Sequence, residues 1–212
     1  MSDPILPTLH SSQPCLVWQL PRRRLALSSA PVGGGLVHLD WVLNAQVLPD
    51  YARTDLAAHV AEIAAAHGLA GDGAGLLTTA PVRHWHRGPD QGVTTDATVS
   101  VTRPTWADDA VGDSPLYQPG TINLVIQLPV RLTQAALVGA AITASEAKTQ
   151  ALIEAGVPGT GTASDALCIL CPTAGPAEAF AGPRSRWGAR LARAVHGAVR
   201  AGLVMRLTPT RA

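Results

Sequence analysis

Apolar and polar positions follow two different periods along this chain. Alternating or continuous apolar runs predict strands at residues 15–20, 25–29, 36–47, 74–80, 94–102, 120–128 and 166–171. The run at 120–128, GTINLVIQL, is apolar on both faces at its centre, which marks an interior strand. Three other stretches repeat at helical spacing. Thr54 is the expected cap of a helix over 55–67, with Leu56, Val60 and Ile63 on one face and Gly68 at its end. A second helix runs over 134–155, capped by Thr133 and ended by Gly156 and Pro158. The third covers 185–201, with Trp187, Leu191 and Val195 inward and Arg186, Arg190 and Arg193 outward. Strands interleaved with helices predict an α/β fold, a single-domain layered sandwich with a mixed β-sheet and three main helices.

Between these elements the chain reads as follows. Residues 1–13 are expected as a flexible tail and 14–212 as one domain. Pro21-Arg22-Arg23-Arg24 reads as a solvated hairpin tip, and Gly33-Gly34-Gly35 as either a tight structural turn or a close backbone approach to a ligand. The stretch 103–119, with three prolines and three aspartates, is a loop long enough to serve as a functional lid.

Composition narrows the function classes. Of 212 residues, 47% are hydrophobic and 15% charged, so the chain is not a disordered one. No uninterrupted apolar run reaches the roughly 18 residues of a membrane helix. A net charge of +1 gives no basic surplus for nucleic acid. The opening MSDPILPTLHSSQP lacks the basic and apolar regions of a secretory signal, which leads us to expect a cytoplasmic protein. Cys168 and Cys171 stand three apart in a predicted strand, on opposite faces, and suit neither a disulfide nor a shared metal.

Three places carry candidate chemistry. Lys148 is the single lysine beside fifteen arginines. It lies in line with Leu137, Ala141, Ala144, Ala151 and Leu152, so it either snorkels outward or sits at a pocket floored by alanines. Glu146 points about 200° away around the same helix. The turn Thr160-Gly161-Thr162-Ala163-Ser164-Asp165 gathers three hydroxyls and a carboxylate, which cap a turn or orient a water or an amide. Ser28 and Ser29 precede the glycine turn. His84 and His86 would share one face of a strand, a metal-ligand spacing for which no third ligand is evident.

Five ordered blocks together resemble the adenosylcobinamide amidohydrolase family of corrinoid salvage. They are SSAPVGGGL at 28–36, NAQV at 44–47 with Asp50 and Tyr51, GTIN at 120–123, ITASEAKT at 142–149 and TGTASDA at 160–166. The family pattern has threonine where Ser145 and Ser164 stand, which keeps the hydroxyl, and a proline-lysine pair where Leu48-Pro49 precede Asp50. The resemblance implies cleavage of the amide between the aminopropanol arm and the corrin ring of adenosylcobinamide or its phosphate. No cofactor or metal site is expected from the residues, and the sequence leaves a metal requirement open. A corrinoid is then the partner, with no nucleic acid and no membrane, and a homodimer is allowed. Lys148 is the candidate general base or acid, and Ser28, Ser29, Thr162 or Ser164 the nucleophile, unless a water held by Asp165 attacks. Glu146 joins that catalytic set. Gly33, Gly34 and Gly35 offer N–H donors to the oxyanion. Asn44, Asp50, Tyr51, Thr121, Asn123, Thr160 and Gly161 are expected to bind the amide-fringed ring, and Trp41, Trp85 and Trp106 to cover its apolar surface. Two alternatives remain at this stage, a corrinoid-binding protein without chemistry and a lysine-dependent aldimine enzyme.

Overall fold

The computed structural model describes residues 4–11, 13–109 and 120–207. In chain order the elements are β1 (Thr8–His10), β2 (Cys15–Ser28), β3 (Gly35–Gln46), α1 (Leu56–Ala66), β4 (Gly73–Thr78), β5 (His86–Asp90), β6 (Val93–Ser100), β7 (Thr121–Gln127), β8 (Arg131–Leu132), α2 (Gln134–Glu154), β9 (Ala166–Cys171), β10 (Ala177–Glu178) and α3 (Arg186–Leu207). Among the described residues the main sheet has the order β4-β3-β2-β9-β7-β6-β5, with β1 added along β2. The β3–β4 and β7–β9 pairs are parallel and the other pairs antiparallel, so the sheet is mixed.

Side-chain alternation separates two faces. Ile122, Leu124 and Ile126 of β7, with Ile169 and Cys171 of β9, lie under α2 and α3. Cys15, Val17, Trp41 and Leu43 lie under α1. Among the described residues no α-helix packs on the opposite face. Leu16, Trp18, Val42, Leu76, Val125, Cys168 and Leu170 pack on one another there. They can do so because the sheet curls until β4 meets β7, where Asn123 Nδ2 donates to the Leu77 carbonyl at 2.9 Å. Asn123 also donates to Asn44 Oδ1 (2.9 Å), and Asn44 donates to Thr98 Oγ1 (2.9 Å), so buried amides staple this seam. Cys168 and Cys171 face opposite sides of β9, as their spacing requires.

The three helices and the interior strand lie where the apolar periods put them. Thr133 accepts from the Ala136 N–H at 3.1 Å and Gly156 ends α2 with φ +73°. α3 runs past its expected end because Gly202 is used for close approach. A Cβ there would stand 2.6 Å from a Val99 methyl. Among the described residues no helix is long and apolar enough to cross a membrane.

Several local expectations are corrected. Pro21–Arg24 is not a hairpin tip; it lies in the irregular stretch where the register of the single long strand β2 shifts between Gln19 and Arg24. That shift lets β2 pair with β1 at its start and with β9 at its end. The tail is not loose over its described part. Thr8–His10 pairs with β2, and Ile5 exchanges hydrogen bonds with Gln127 (2.9 and 2.8 Å) and accepts one from Arg87 (2.9 Å). Arg87 also forks onto the buried Asp96 carboxylate, which accepts from Trp18 Nε1. Thr54 does not cap α1; Asp55 holds the N-cap position, and its carboxylate is turned to Arg53 instead. His84 closes a 3-10 turn while His86 begins β5, so the two do not share a strand face. Of the expected lid, residues 110–119 lie outside the described residues.

Candidate active site

Asp165 stands immediately before β9, and Lys148 lies in the middle of α2. Lys148 Nζ donates to Asp165 Oδ2, with both side chains 14% exposed. The rest of the carboxylate is also engaged. Oδ1 accepts from the Ile122 N–H at 2.9 Å and lies 2.5 Å from Thr162 Oγ1, and Oδ2 accepts from the Thr162 N–H at 3.1 Å. Thr162 Oγ1 is also 2.9 Å from the Gly120 carbonyl, so its one proton has two acceptors. Three donors, the Lys148 ammonium and the Ile122 and Thr162 N–H groups, therefore hold the carboxylate, and the Thr162 hydroxyl is a fourth when its proton turns toward Oδ1. Asp165 is a hub that orients its neighbours.

Gly161 makes the pair possible. A Cβ on it would lie 2.5 Å from Asp165 Oδ2 and 2.6 Å from Lys148 Nζ. Its turn is held from two sides. Thr149 Oγ1 donates to the Thr160 carbonyl (3.1 Å), and Thr105 pairs with the turn through Thr105 N–H to Gly161 O (3.0 Å) and Thr160 N–H to Thr105 O (2.8 Å).

Two cavities meet at Asp165, Ser29 and Ala166. The larger, about 570 Å³, lies over the β4–β7 seam and is walled by Val47, Leu48, Pro49, Tyr51, Leu56 and Leu77. Its polar rim includes Thr54, Thr78, Thr79, Thr121 and Ser164. The smaller, about 380 Å³, runs under α2 between Leu27, Ile122, Leu124, Ala141, Ser145 and Lys148. Ser164 Oγ and Thr121 Oγ1 are 2.9 Å apart on the larger side. Ala141 and Ser145 also border an open surface with Ile142, Glu146 and Thr149, which gives the smaller cavity an exit.

The expected site residues divide by position. Lys148, Asp165, Ser164, Thr121, Ser28, Ser29 and Tyr51 line one cavity or both, and Thr160, Gly161 and Thr162 build the turn that holds the ion pair. Glu146 is exposed at the exit and does not face Lys148 from within. Asn44 and Asn123, each 1% exposed, staple the seam beneath the larger cavity. Gly33 packs its Cα onto the Gly73 backbone with φ +69°, and Gly34 approaches the Ala30 carbonyl; neither they nor Gly35 line the cavities. Asp50 is exposed on the loop that carries Tyr51. Both serines are tied to β9: Ser28 Oγ donates to the Leu167 carbonyl (3.2 Å), and Ser29 Oγ accepts from the Leu167 N–H (3.0 Å). Trp41 is buried, Trp85 lies beneath Arg87, and Trp106 is 46% exposed beside Thr105.

Sequence reasoning missed Leu48, Ser145 and Thr105, whereas Ala141 lines the Lys148 cavity as the alanine stripe suggested. Leu48 carried a signal, an apolar residue on a loop, and it is 70% exposed. Arg53 also borders the larger cavity, but its guanidinium is shared between Asp55 and Glu62, which holds the Asp55 carboxyl down at about 2.

The family model described as adenosylcobinamide amidohydrolase matches residues 6–210. An adenosylcobinamide amidohydrolase of Methanosarcina mazei is 28% identical over 187 residues, covering 84% of this chain and 90% of the relative. One of Halobacterium salinarum is 31% identical over 178 residues, covering 80% and 76%. A solved structure of the Pyrococcus horikoshii protein PH0078 aligns with a TM-score of 0.46 at 12% identity, over 95% of this chain and 80% of that one. With the matched region spanning both cavities and the ion pair between them, the chain belongs to the adenosylcobinamide amidohydrolase family, a family of hydrolases.

Proposed function

We propose that this protein hydrolyses the amide joining the aminopropanol arm to the corrin ring of adenosylcobinamide, or of its phosphate, in cobinamide salvage. The products are adenosylcobyric acid and aminopropanol or aminopropanol phosphate. The observation that carries the reading is the Lys148–Asp165 pair in the wall between two adjoining cavities.

Hydrolysis adds the oxygen of one water to the carbonyl carbon and breaks the C–N bond. A carboxylate and an ammonium remain, so both water protons end on nitrogen. Lys148 Nζ carries a proton to the leaving nitrogen, and Asp165 holds Nζ in place for that transfer. The attacking oxygen comes from the Ser164 and Thr121 side. Either a water oriented by the two hydroxyls attacks directly, or Ser164 Oγ attacks, expels the amine and leaves an ester that a water then cleaves to the carboxylate and free Ser164. The buried N–H groups of Ile122 and Thr162 fix the carboxylate, so the pair is preorganised before substrate arrives.

The test is mass spectrometry of adenosylcobinamide after incubation with the protein and with Lys148→Met. Formation of adenosylcobyric acid and aminopropanol by the unaltered protein, with loss in the variant, is expected. Substrate that stays bound but intact would instead make this a corrinoid-binding protein. Covalent trapping of a carbonyl substrate on Lys148 by borohydride would favour aldimine chemistry. Ser164→Ala separates the two sources of the attacking oxygen: complete loss marks Ser164 Oγ, and partial loss marks a water.

A further inference from the structure

We infer that the substrate lies across Asp165 with a fixed polarity, the corrin ring in the larger cavity and the departing amine in the smaller one beneath α2. This rests on the hydrolase reading and extends it to the direction of binding and to two residues that set specificity, Leu48 and Ser145.

The two sides of the boundary differ in chemistry. Ser164 and Thr121, the hydroxyls that serve the carbonyl carbon, line only the larger cavity. Lys148, which serves the nitrogen, lines only the smaller. Asp165, Ser29 and Ala166 line both, so an amide seated there has its carbonyl toward the hydroxyls and its nitrogen toward the ammonium. The reverse placement would set the nitrogen away from its proton source. Size and surface point the same way. The larger space has an apolar wall of Val47, Leu48, Pro49, Leu56 and Leu77 with hydroxyls on its rim. That combination suits a macrocycle with apolar faces and an amide fringe. Leu48, exposed in the free protein, gains most from being covered by a ring. The smaller space suits a three-carbon amino alcohol, and its exit past Ala141 and Ser145 lets the amine leave while the ring stays bound.

The experiment compares two ligands and two variants. Adenosylcobinamide carries the amine arm and adenosylcobyric acid lacks it. Leu48→Asp is expected to weaken both ligands by about tenfold, the effect of roughly 1.4 kcal/mol, read as KM for the substrate and inhibition constant for the product. Ser145→Leu is expected to raise KM for adenosylcobinamide several-fold and to leave inhibition by adenosylcobyric acid unchanged. Both positions are exposed, so neither variant threatens folding, and Ala141→Val provides an independent filling of the smaller cavity. If Ser145→Leu and Ala141→Val weaken adenosylcobyric acid as much as the substrate, or if Leu48→Asp spares it, the polarity is overturned while hydrolysis stands. Absence of turnover by the unaltered protein overturns the hydrolase reading and this inference with it.

Discussion

Lys148 Nζ donates to an Asp165 carboxylate that also accepts from the N–H groups of Ile122 and Thr162. The two side chains are mostly buried, so the pair behaves as one unit. Asp165→Asn keeps the volume but turns an acceptor into a donor that faces existing donors. We expect kcat to fall by about 10²-fold or more and stability by about 1–3 kcal/mol. Steady-state kinetics and thermal unfolding of the same preparation check both, and an Asn variant with unchanged kcat would remove the pair from the mechanism.

Gly161→Ala separates activity from folding. The added methyl meets only the ends of two flexible side chains, Lys148 Nζ and Asp165 Oδ2. Lys148 Nζ can swing aside while Asp165 keeps its backbone N–H partners, so the melting temperature should fall less than in Asp165→Asn. The ion pair cannot then keep its geometry, and activity should drop by about tenfold or more, because small misplacements of reacting groups are costly. A variant that melts early yet keeps full specific activity would contradict this.

Glu146 stands at the exit of the smaller cavity, exposed and with no cation bound to it among the interactions of the described residues. A carboxylate there repels a phosphate on the departing amine. Glu146→Gln is therefore expected to raise kcat/KM for adenosylcobinamide phosphate relative to adenosylcobinamide by a few-fold, and less so at high salt. Competition between the two substrates in one reaction gives the ratio directly. An unchanged ratio would show that the phosphate never passes this carboxylate.

The N-terminal segment carries a pH dependence. His67 lies 3.3 Å from Cys15 Sγ and stacks with His10 at 3.9 Å between ring centroids. Burial, and then the neighbouring His10, hold its imidazole below the ordinary value near 6.5. The Cys15 thiol is pushed up to about 11 by burial and remains a neutral neighbour. The folded state therefore favours neutral His67, while the unfolded chain binds the proton more readily. Its stabilising contribution is complete above about pH 6.5 and is lost as pH falls from there through the lowered folded value. His86 is shifted the same way by burial and by His84. Melting temperature should fall between pH 7.5 and 5.5, and His67→Gln should flatten part of that slope. A melting temperature that rises on acidification would refute the assignment.

Periodicity made the helices and the interior strand readable, because burial on one face repeats at 3.6 residues or 2. The curl of the sheet was not readable. It depends on β4 meeting β7, and the amides that fasten them, Asn44 and Asn123, sit 79 residues apart. Their place in the sequence blocks suggested ligand contact, whereas burial gives them to the seam. Arg22–Arg24 misled for a related reason, since charge beside proline marks a hairpin tip as readily as an irregularity inside a strand. At the site, Lys148 and Asp165 were legible from residue type: one was the single lysine, and the other closed a hydroxyl-rich turn. Their contact was not, because it joins a helix to the residue before a strand, 17 positions later, through a turn that Thr105 holds from another part of the chain.

The seclusion of Lys148 has a practical consequence. Apart from the α-amino group, it is the one primary amine in the chain, and it lies in a cavity wall rather than on the surface. An amine-directed reagent small enough to enter therefore acquires a single internal address. The rate at which it labels this lysine becomes a gauge of cavity occupancy, independent of turnover, for any corrinoid or amine added beside it.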